Sequence, residues 1–167
     1  MLALLTVLFD IVRCRRGPED LPVSRVLLGG LVIFYGALTF MQARWSGWPA
    51  GSAAPLVSTQ LLMLLVWVWS LLALFGRRAR FLQTMSAVLG ILLFLTFIDL
   101  ALLAVDRTTG VAESVTDAWT LINLFVMVLL VGRVLMLAIE GGLFTGFAFT
   151  LMMVLSISYV GQLFAPG

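Results

Sequence analysis

Residues 13–25 read RCRRGPEDLPVSR and form the longest polar interruption in an otherwise apolar chain. Gly17, Pro18 and Pro22 all lie in this stretch. One continuous helix cannot cross it, because proline lacks an N–H donor and pushes the preceding residue toward extended geometry. The stretch therefore separates a short N-terminal segment from a first long helix, with residues 17–22 as a Gly/Pro connector.

The composition on either side of this stretch is that of a membrane protein. Of 167 residues, 62% are hydrophobic and 11% are charged, and the mean hydropathy is +1.16. A soluble globular domain carries about a quarter charged residues, so the chain is predicted to be an all-α integral membrane protein. Arginines outnumber acidic residues by only two, and lysine is absent, so no nucleic-acid partner is expected.

Side chains that commonly perform catalysis are scarce. The chain has no histidine, which is the commonest general base and metal ligand, and Cys14 is its one cysteine. The sequence contains no Gly-rich phosphate loop, nucleophile elbow or metal-ligand spacing. We therefore expect no bound metal and no cofactor, and we do not expect an enzyme.

Residues 1–16 begin with an apolar run that is too short to cross a bilayer, which takes roughly 20 residues. Thr6, Asp10 and Arg13 recur at helical spacing and share one face. This pattern predicts an amphipathic helix that lies in the membrane interface with its polar stripe outward. A re-entrant segment packed against the bundle is the alternative.

Five longer apolar segments follow the connector. Ser24 lies where the N-cap of the first helix is expected. All five prolines fall outside the proposed spans, which supports the division because an interior proline costs about 3 kcal/mol or more. The predicted spans, which make a five-helix transmembrane bundle within residues 23–167, are 23–42, 56–75, 81–105, 118–139 and 143–164.

The arginines divide unequally between the two ends of this predicted bundle. Seven lie on the side of the N-terminus, and Arg44 and Arg107 lie on the other. By the positive-inside rule, the N-terminus is then in the cytoplasm, and five spans leave the C-terminus outside. Most of the seven form a basic collar that would attract anionic lipid headgroups. The positive-inside rule by itself also explains why these arginines are on this side of the membrane. The collar consists of Arg13, Arg15, Arg16, Arg77, Arg78 and Arg80.

Asp99 is the strongest candidate for a functional residue, because an ionisable group inside the hydrocarbon region is costly to bury. Asn123, in the next span, is predicted at a similar depth, so we expect a hydrogen bond between the two side chains. One interpretation is a proton or cation relay, or a contact to a polar substrate. The other is structural, with a protonated Asp99 that fixes one helix against the next.

Two further groups of residues stand out in the fourth and fifth spans. Arg133 is predicted about two turns from the cytoplasmic end of its span. There it snorkels, contacts a lipid phosphate or another anion, or pairs with Glu140. Gly142, Gly146 and Thr150 form a small-residue stripe of the Gly-x-x-x-Gly type, which predicts close helix packing inside the monomer or between copies.

The order of a short amphipathic segment, a Gly/Pro connector and five spans resembles the Yip domain (Ypt-interacting protein) superfamily and its small bacterial members. The run RRGPEDLPVS at residues 15–24 is similar to a stretch in bacterial membrane proteins of that kind. The Asp-Leu-Tyr-Gly-Pro motif and long polar N-terminal tail of the eukaryotic members are absent, which argues against a trafficking or GTPase-partner function. The resemblance implies a non-enzymatic five-helix protein that works through partners. Arginine as the sole basic residue fits a GC-rich bacterium, and hence the inner membrane.

Three functional hypotheses follow from these features. The first is a non-catalytic scaffold, complex subunit or membrane-organising factor whose partners are membrane lipids and another membrane protein or further copies of itself. The second is a small transporter or channel component that uses Asp99 and Asn123 as an intramembrane polar site. The third, a membrane-embedded enzyme, requires Asp99, Asn123 and Arg133 to face one wet cavity, and no histidine or lysine is available to assist.

Overall fold

The computed structural model describes residue 10, residues 17–109 and residues 113–163. Within these ranges the chain is helical, and no residue is in a β-strand. Two short 3-10 turns, Pro18–Asp20 and Arg78–Arg80, accompany the long helices. The helices are α1 (Arg25–Trp45), α2 (Ala50–Leu74), α3 (Phe81–Thr109), α4 (Glu113–Ile139) and α5 (Leu143–Leu163).

All five helices are long and apolar enough to cross a membrane, with mean hydropathies of 1.6 to 2.7 in their most apolar windows. Five such helices are typical of a multi-pass membrane protein. In α1, Ser24 is the N-cap, and its Oγ accepts a hydrogen bond from the N–H of Leu27 at 3.2 Å. The predicted amphipathic helix of residues 1–16, with Arg13, Arg15 and Arg16 of the collar, lies outside the described residues except for Asp10.

The second helix begins earlier than its hydropathy indicates. α2 starts at Ala50, six residues before the predicted boundary, and Pro55 lies inside it. The expectation that every proline lies outside the helices is therefore wrong for this residue. Pro55 is the sixth residue of α2, so the hydrogen bond that it cannot make would have ended on the carbonyl of Gly51. Gly51 is exposed in the first turn, so its carbonyl is not buried without a partner, and the proline is tolerated.

The helices on either side of the third connection are also longer than predicted. α3 continues to Thr109 and α4 begins at Glu113, so most of the polar stretch at residues 106–117 is helical. Hydropathy marks where a helix leaves the apolar layer, whereas hydrogen bonding decides where the helix ends. Polar residues such as aspartate, arginine and glutamate extend a helix beyond that layer without a large propensity cost.

The five helices contact one another in a closed ring. Going around it, α1 packs on α3, α3 on α4, α4 on α5, α5 on α2, and α2 on α1, while α3 also touches α2 across the ring. α3 is the most buried helix, and α1 contributes no buried residue. We call the end with the α2–α3 and α4–α5 turns the collar end, and the opposite end the open end.

The collar half of the ring is tightly packed. Its core combines the end of α2, the start of α3 and the end of α4, with side chains that are almost completely excluded from solvent. Side chains packed at interior density leave little free volume in that half of the bundle. The central residues of this core are Leu72, Met85, Val88, Leu89, Val131 and Leu135.

The connector is part of this core. The side chain of Leu21 is 2% exposed and belongs to the same apolar cluster, and the turn Pro18–Asp20 contacts α3 and α4. Gln83 of α3 holds the connector backbone, because its Nε2 donates to the carbonyl of Leu21 at 2.9 Å and to that of Glu19 at 3.3 Å. Residues 17–22 therefore cover the collar end of the bundle.

The small-residue stripe on α5 packs inside the monomer. A Cβ on Gly146 would overlap the carbonyl oxygen of Gly132 in α4 and lie 2.8 Å from the Cβ of Met136. Thr150 is fully buried, and its Oγ1 donates to the carbonyl of Gly146 at 2.9 Å. Gly142 makes no such approach, since its nearest neighbour would be the Thr145 hydroxyl at 3.8 Å. Of the three stripe residues, Gly146 thus joins α5 to α4.

Candidate functional site

Asp99 and Asn123 lie at equal depth in neighbouring helices. Asp99 is ten residues before the end of α3 and Asn123 is ten residues after the start of α4, so each lies about 15 Å along its helix from the open end. Asn123 Nδ2 donates to Oδ1 and Oδ2 of Asp99 at 2.9 and 3.0 Å. The predicted hydrogen bond between the two residues is therefore present.

Two further donors reach the same carboxylate. Trp119, one helical turn before Asn123, donates from Nε1 to Asp99 Oδ1 at 2.7 Å. Gln42, near the end of α1, donates from Nε2 to Asp99 Oδ2 at 3.5 Å, the longest of the four contacts. Neither residue was identified as a site residue from the sequence. For Trp119 a signal existed, because it is four residues from Asn123 on α4, whereas nothing in the sequence indicated that α1 packs beside α3.

Two cavities meet at this cluster. The mouth cavity, about 350 Å³, lies at the open end between α1, α3 and α4, and includes Asp106 and Trp119. The ring cavity, about 260 Å³, lies deeper and is lined by residues of all five helices. Gln42, Asp99 and Asn123 line both cavities, and we call these three residues the divider. The additional polar residues of the ring cavity are Tyr35, Thr39, Gln60, Thr96 and Ser158.

In the part of the chain that the structure describes, the charged side chains that line the two cavities are all acidic. All four hydrogen bonds to Asp99 come from neutral N–H groups, and no arginine is among the described residues that line either cavity. The mouth cavity holds a second carboxylate, that of Asp106. No group of three or more potential metal-ligating side chains occurs in the described ranges. The arrangement can therefore accept positive charge and hydrogen-bond donors.

The collar end is held together by ion pairs with Glu140. Arg80 donates from Nη2 to Glu140 Oε1 at 2.7 Å, and Arg77 pairs with Oε2. Arg80 Nη1 also approaches the carbonyls of Leu137 and Ala138 at 3.5 and 3.4 Å, at the C-terminus of α4. A cation is favourable at that position because helix carbonyls carry partial negative charge there. Part of the predicted collar thus joins the α2–α3 turn to α4.

Glu140 adopts a backbone conformation that usually belongs to glycine. Its φ is +53°, and the N–H of Gly141 donates to the carbonyl of Met136 at 3.1 Å, as in a Schellman cap. α4 ends at Ile139, so Glu140 leaves the helix and no longer shares a helical face with Arg133. The predicted alternative of an Arg133–Glu140 pair is therefore wrong. Glu140 pairs with arginines of the α2–α3 turn instead.

The other charged candidates lie apart from the divider. Arg133 is ten residues beyond Asn123 on α4, about 15 Å along the helix, and it lines neither cavity. The convergence of Asp99, Asn123 and Arg133 that a membrane-embedded enzyme would need is absent from these two cavities. Arg78 lies over the ring of Trp69, with 5.4 Å from its guanidinium carbon to the ring centre, a cation–π contact.

No family model, curated protein or solved structure matches this chain.

Proposed function

We propose that the protein is a small transporter or channel component that carries a small polar solute past the divider. The observation that supports this function is that Gln42, Asp99 and Asn123 line both the mouth cavity and the ring cavity. A polar group held between two internal cavities of an apolar bundle is costly to maintain and is therefore a functional-site hypothesis. A purely structural hydrogen bond between α3 and α4 needs no cavity on either side.

The packing of the bundle supports access from one end at a time. The mouth cavity lies at the open end, whereas the collar end is closed by the buried core and the connector. Passage to the other side would therefore require the collar end to loosen while the divider closes. α3 is continuous from Phe81 to Thr109, so the solute would meet side chains rather than the exposed backbone of a broken helix.

Replacing Asp99 with asparagine is expected to reduce solute flux by about tenfold or more, because a hydrogen bond to a charged group is worth about 1.5–3 kcal/mol. The measurement is uptake into proteoliposomes of labelled small amines, amino acids, polyols and alkali cations. Asp117→Asn is the matched control, since Asp117 is exposed on α4 and lines neither cavity. If the wild type transports none of these solutes, or if both variants behave alike, the proposed transport function is wrong.

The scaffold or complex-subunit function is the second candidate. It is favoured by α1, which contributes no buried residue and leaves Gly29 and Gly30 with open space beside them. Small residues on an open helix face permit close approach by another transmembrane helix. Wild-type protein that transports nothing, but co-purifies in mild detergent with a membrane-protein partner or as a homo-oligomer, would favour this function over transport.

The proposed location is the bacterial inner membrane, with the N-terminus and the collar end in the cytoplasm. The arginine distribution supports this orientation, and residues 1–16 are proposed to lie in the interface, where the collar arginines attract anionic lipids. The layout shared with Yip-domain proteins is consistent with this arrangement. Reporters fused at Met1 and after Gly167 should be active in opposite compartments. Activity of both in the same compartment would overturn the orientation.

A further inference from the structure

No basic side chain of the described residues lines the two cavities beside Asp99. Asp99 and Asp106 lie seven residues apart on α3, roughly 10 Å along the helix, and both line the mouth cavity. The nearest arginine in sequence is Arg107, which donates to the carbonyl of Trp45 and lies over its ring, and it is not among the residues that line the mouth cavity. An ionised carboxylate in an apolar bundle is expensive without a positive partner. A cation in the mouth cavity would supply that partner.

The hydrogen bonds of Asp99 indicate where such a cation would bind. A carboxylate has about four acceptor positions, and three of them are taken at 2.7 to 3.0 Å by Trp119 and Asn123. The fourth contact, from Gln42 Nε2 to Oδ2, is 3.5 Å long, and hydrogen bonds of that length are weak. Gln42 also faces both cavities, so its amide is the contact that a ligand displaces most easily.

A second acceptor lies beside the carboxylate. Asn123 Oδ1 is buried and has no hydrogen-bond partner within the described residues. The orientation of this amide follows from its contacts, because the opposite orientation would direct Oδ1 at the Asp99 carboxylate. A buried carbonyl oxygen without a donor costs about 1–3 kcal/mol. A ligand that brings several N–H groups to Asp99 Oδ2 would relieve this cost as well.

We propose that the site binds a small primary ammonium ion, which replaces Gln42 at Asp99 Oδ2 and donates a second hydrogen bond to Asn123 Oδ1. This inference rests on the proposed transport function in one respect: the ammonium ion is taken to be the transported solute. A charged N–H donor binds a carboxylate more strongly than the neutral amide that it displaces. A quaternary ammonium ion has no N–H group and leaves both acceptors unsatisfied. A bare alkali ion donates no hydrogen bond, and it would have to displace the N–H donors that contact Asp99 at 2.7 to 3.0 Å.

Asp106 has a separate part in this proposal. It lies two helical turns closer to the open end than Asp99 and lines only the mouth cavity. A carboxylate at the mouth of an apolar cavity raises the local concentration of cations, and this effect weakens as salt is added. Asp106 therefore attracts the ammonium ion, and Asp99 binds it.

Binding of ethanolamine, butane-1,4-diamine and phenethylamine to purified wild-type protein in detergent tests the proposal by calorimetry. We expect at least one of these amines to bind, choline to bind about tenfold more weakly than ethanolamine, and ethylene glycol, butane-1,4-diol and sodium chloride to give no binding. Absence of binding by all three amines overturns the proposal. So does choline or sodium binding as tightly as ethanolamine.

Two variants test the position of the ligand. Asp99→Asn should lose amine binding by about tenfold or more, whereas Gln42→Ala should strengthen it several-fold, since the competing amide is gone. If Asp99→Asn does not fold, Gln42→Ala still tests the proposal. Weaker amine binding by Gln42→Ala would show that the ligand does not displace Gln42. Thermal unfolding without ligand checks the integrity of both variants.

Failure of this inference differs from failure of the proposed function. Amine binding without flux of any of the tested solutes into proteoliposomes would leave the ammonium site standing and remove the transport function. If the protein binds no amine but transports a neutral solute in a way that depends on Asp99, the transport function would stand and the ammonium site would be wrong.

Discussion

The Gly146→Val variant is expected to lose its folded state, with the free energy of unfolding reduced by at least about 3 kcal/mol. Overpacking a core usually costs about 1–3 kcal/mol when side chains can move aside. Here the added Cβ alone would overlap the backbone carbonyl of Gly132 and lie 2.8 Å from the Cβ of Met136. Backbone atoms of a helix cannot rotate away, so α5 would have to separate from α4.

The matched control is Gly30→Val. Gly30 lies in α1 and has no atom within 4 Å of the position that its Cβ would occupy. The same change there should alter the free energy of unfolding by less than about 1 kcal/mol, in the direction of greater helix propensity. Unfolding in mixed detergent, followed by the fluorescence of the five tryptophans, measures both variants. Equal stability of the two would show that α4 and α5 do not approach each other at Gly132 and Gly146.

The second large effect is expected for the connector. Leu21→Ala should reduce the free energy of unfolding by about 2–5 kcal/mol, the range for removing a buried leucine side chain. The reason is that Leu21 is 2% exposed and lies in the same apolar cluster as the buried residues of α2, α3 and α4. Loss of this contact should also release residues 17–22 from the collar end and make them accessible to protease.

Val23→Ala is the control for this substitution. Val23 lies two residues further along the chain and is 63% exposed, so its truncation should change the free energy of unfolding by no more than about 0.5 kcal/mol. The same unfolding measurement, with limited proteolysis of both variants, checks the result. A connector that is a loose linker rather than part of the core would make Leu21→Ala and Val23→Ala indistinguishable.

Much of the architecture was predictable because membrane insertion imposes a strong constraint on composition. A bilayer requires long apolar helices, so five of them could be located from hydropathy alone. Depth could also be counted, because each residue advances a helix by a constant rise. This is why the hydrogen bond between Asp99 and Asn123, which lie on consecutive helices at equal depth, was expected before the fold was known.

The helix ends and the contacts between helices across the ring were harder to predict from the sequence. Hydropathy marks the apolar layer, so it missed the first six residues of α2 and the polar extensions of α3 and α4. The helices are apolar on most faces, and no polar stripe indicates which side of α1 meets α3. Gln42 therefore gave no sign that it donates to Asp99. Likewise a pair with Arg133 was one alternative for Glu140, whereas its partners are Arg77 and Arg80.

The sequence by itself determined that this chain forms five apolar helices with a carboxylate and an amide at one depth, because these properties depend on composition and helical rise alone. Only the tertiary structure decided that Gly132 lies against Gly146, that the connector covers the collar end, and that Gln42 joins Asp99 and Asn123 between two cavities. These features depend on how each helix is rotated about its axis. In a bilayer that rotation is set by close packing and polar contacts between helices, since lipid and helix surfaces are equally apolar.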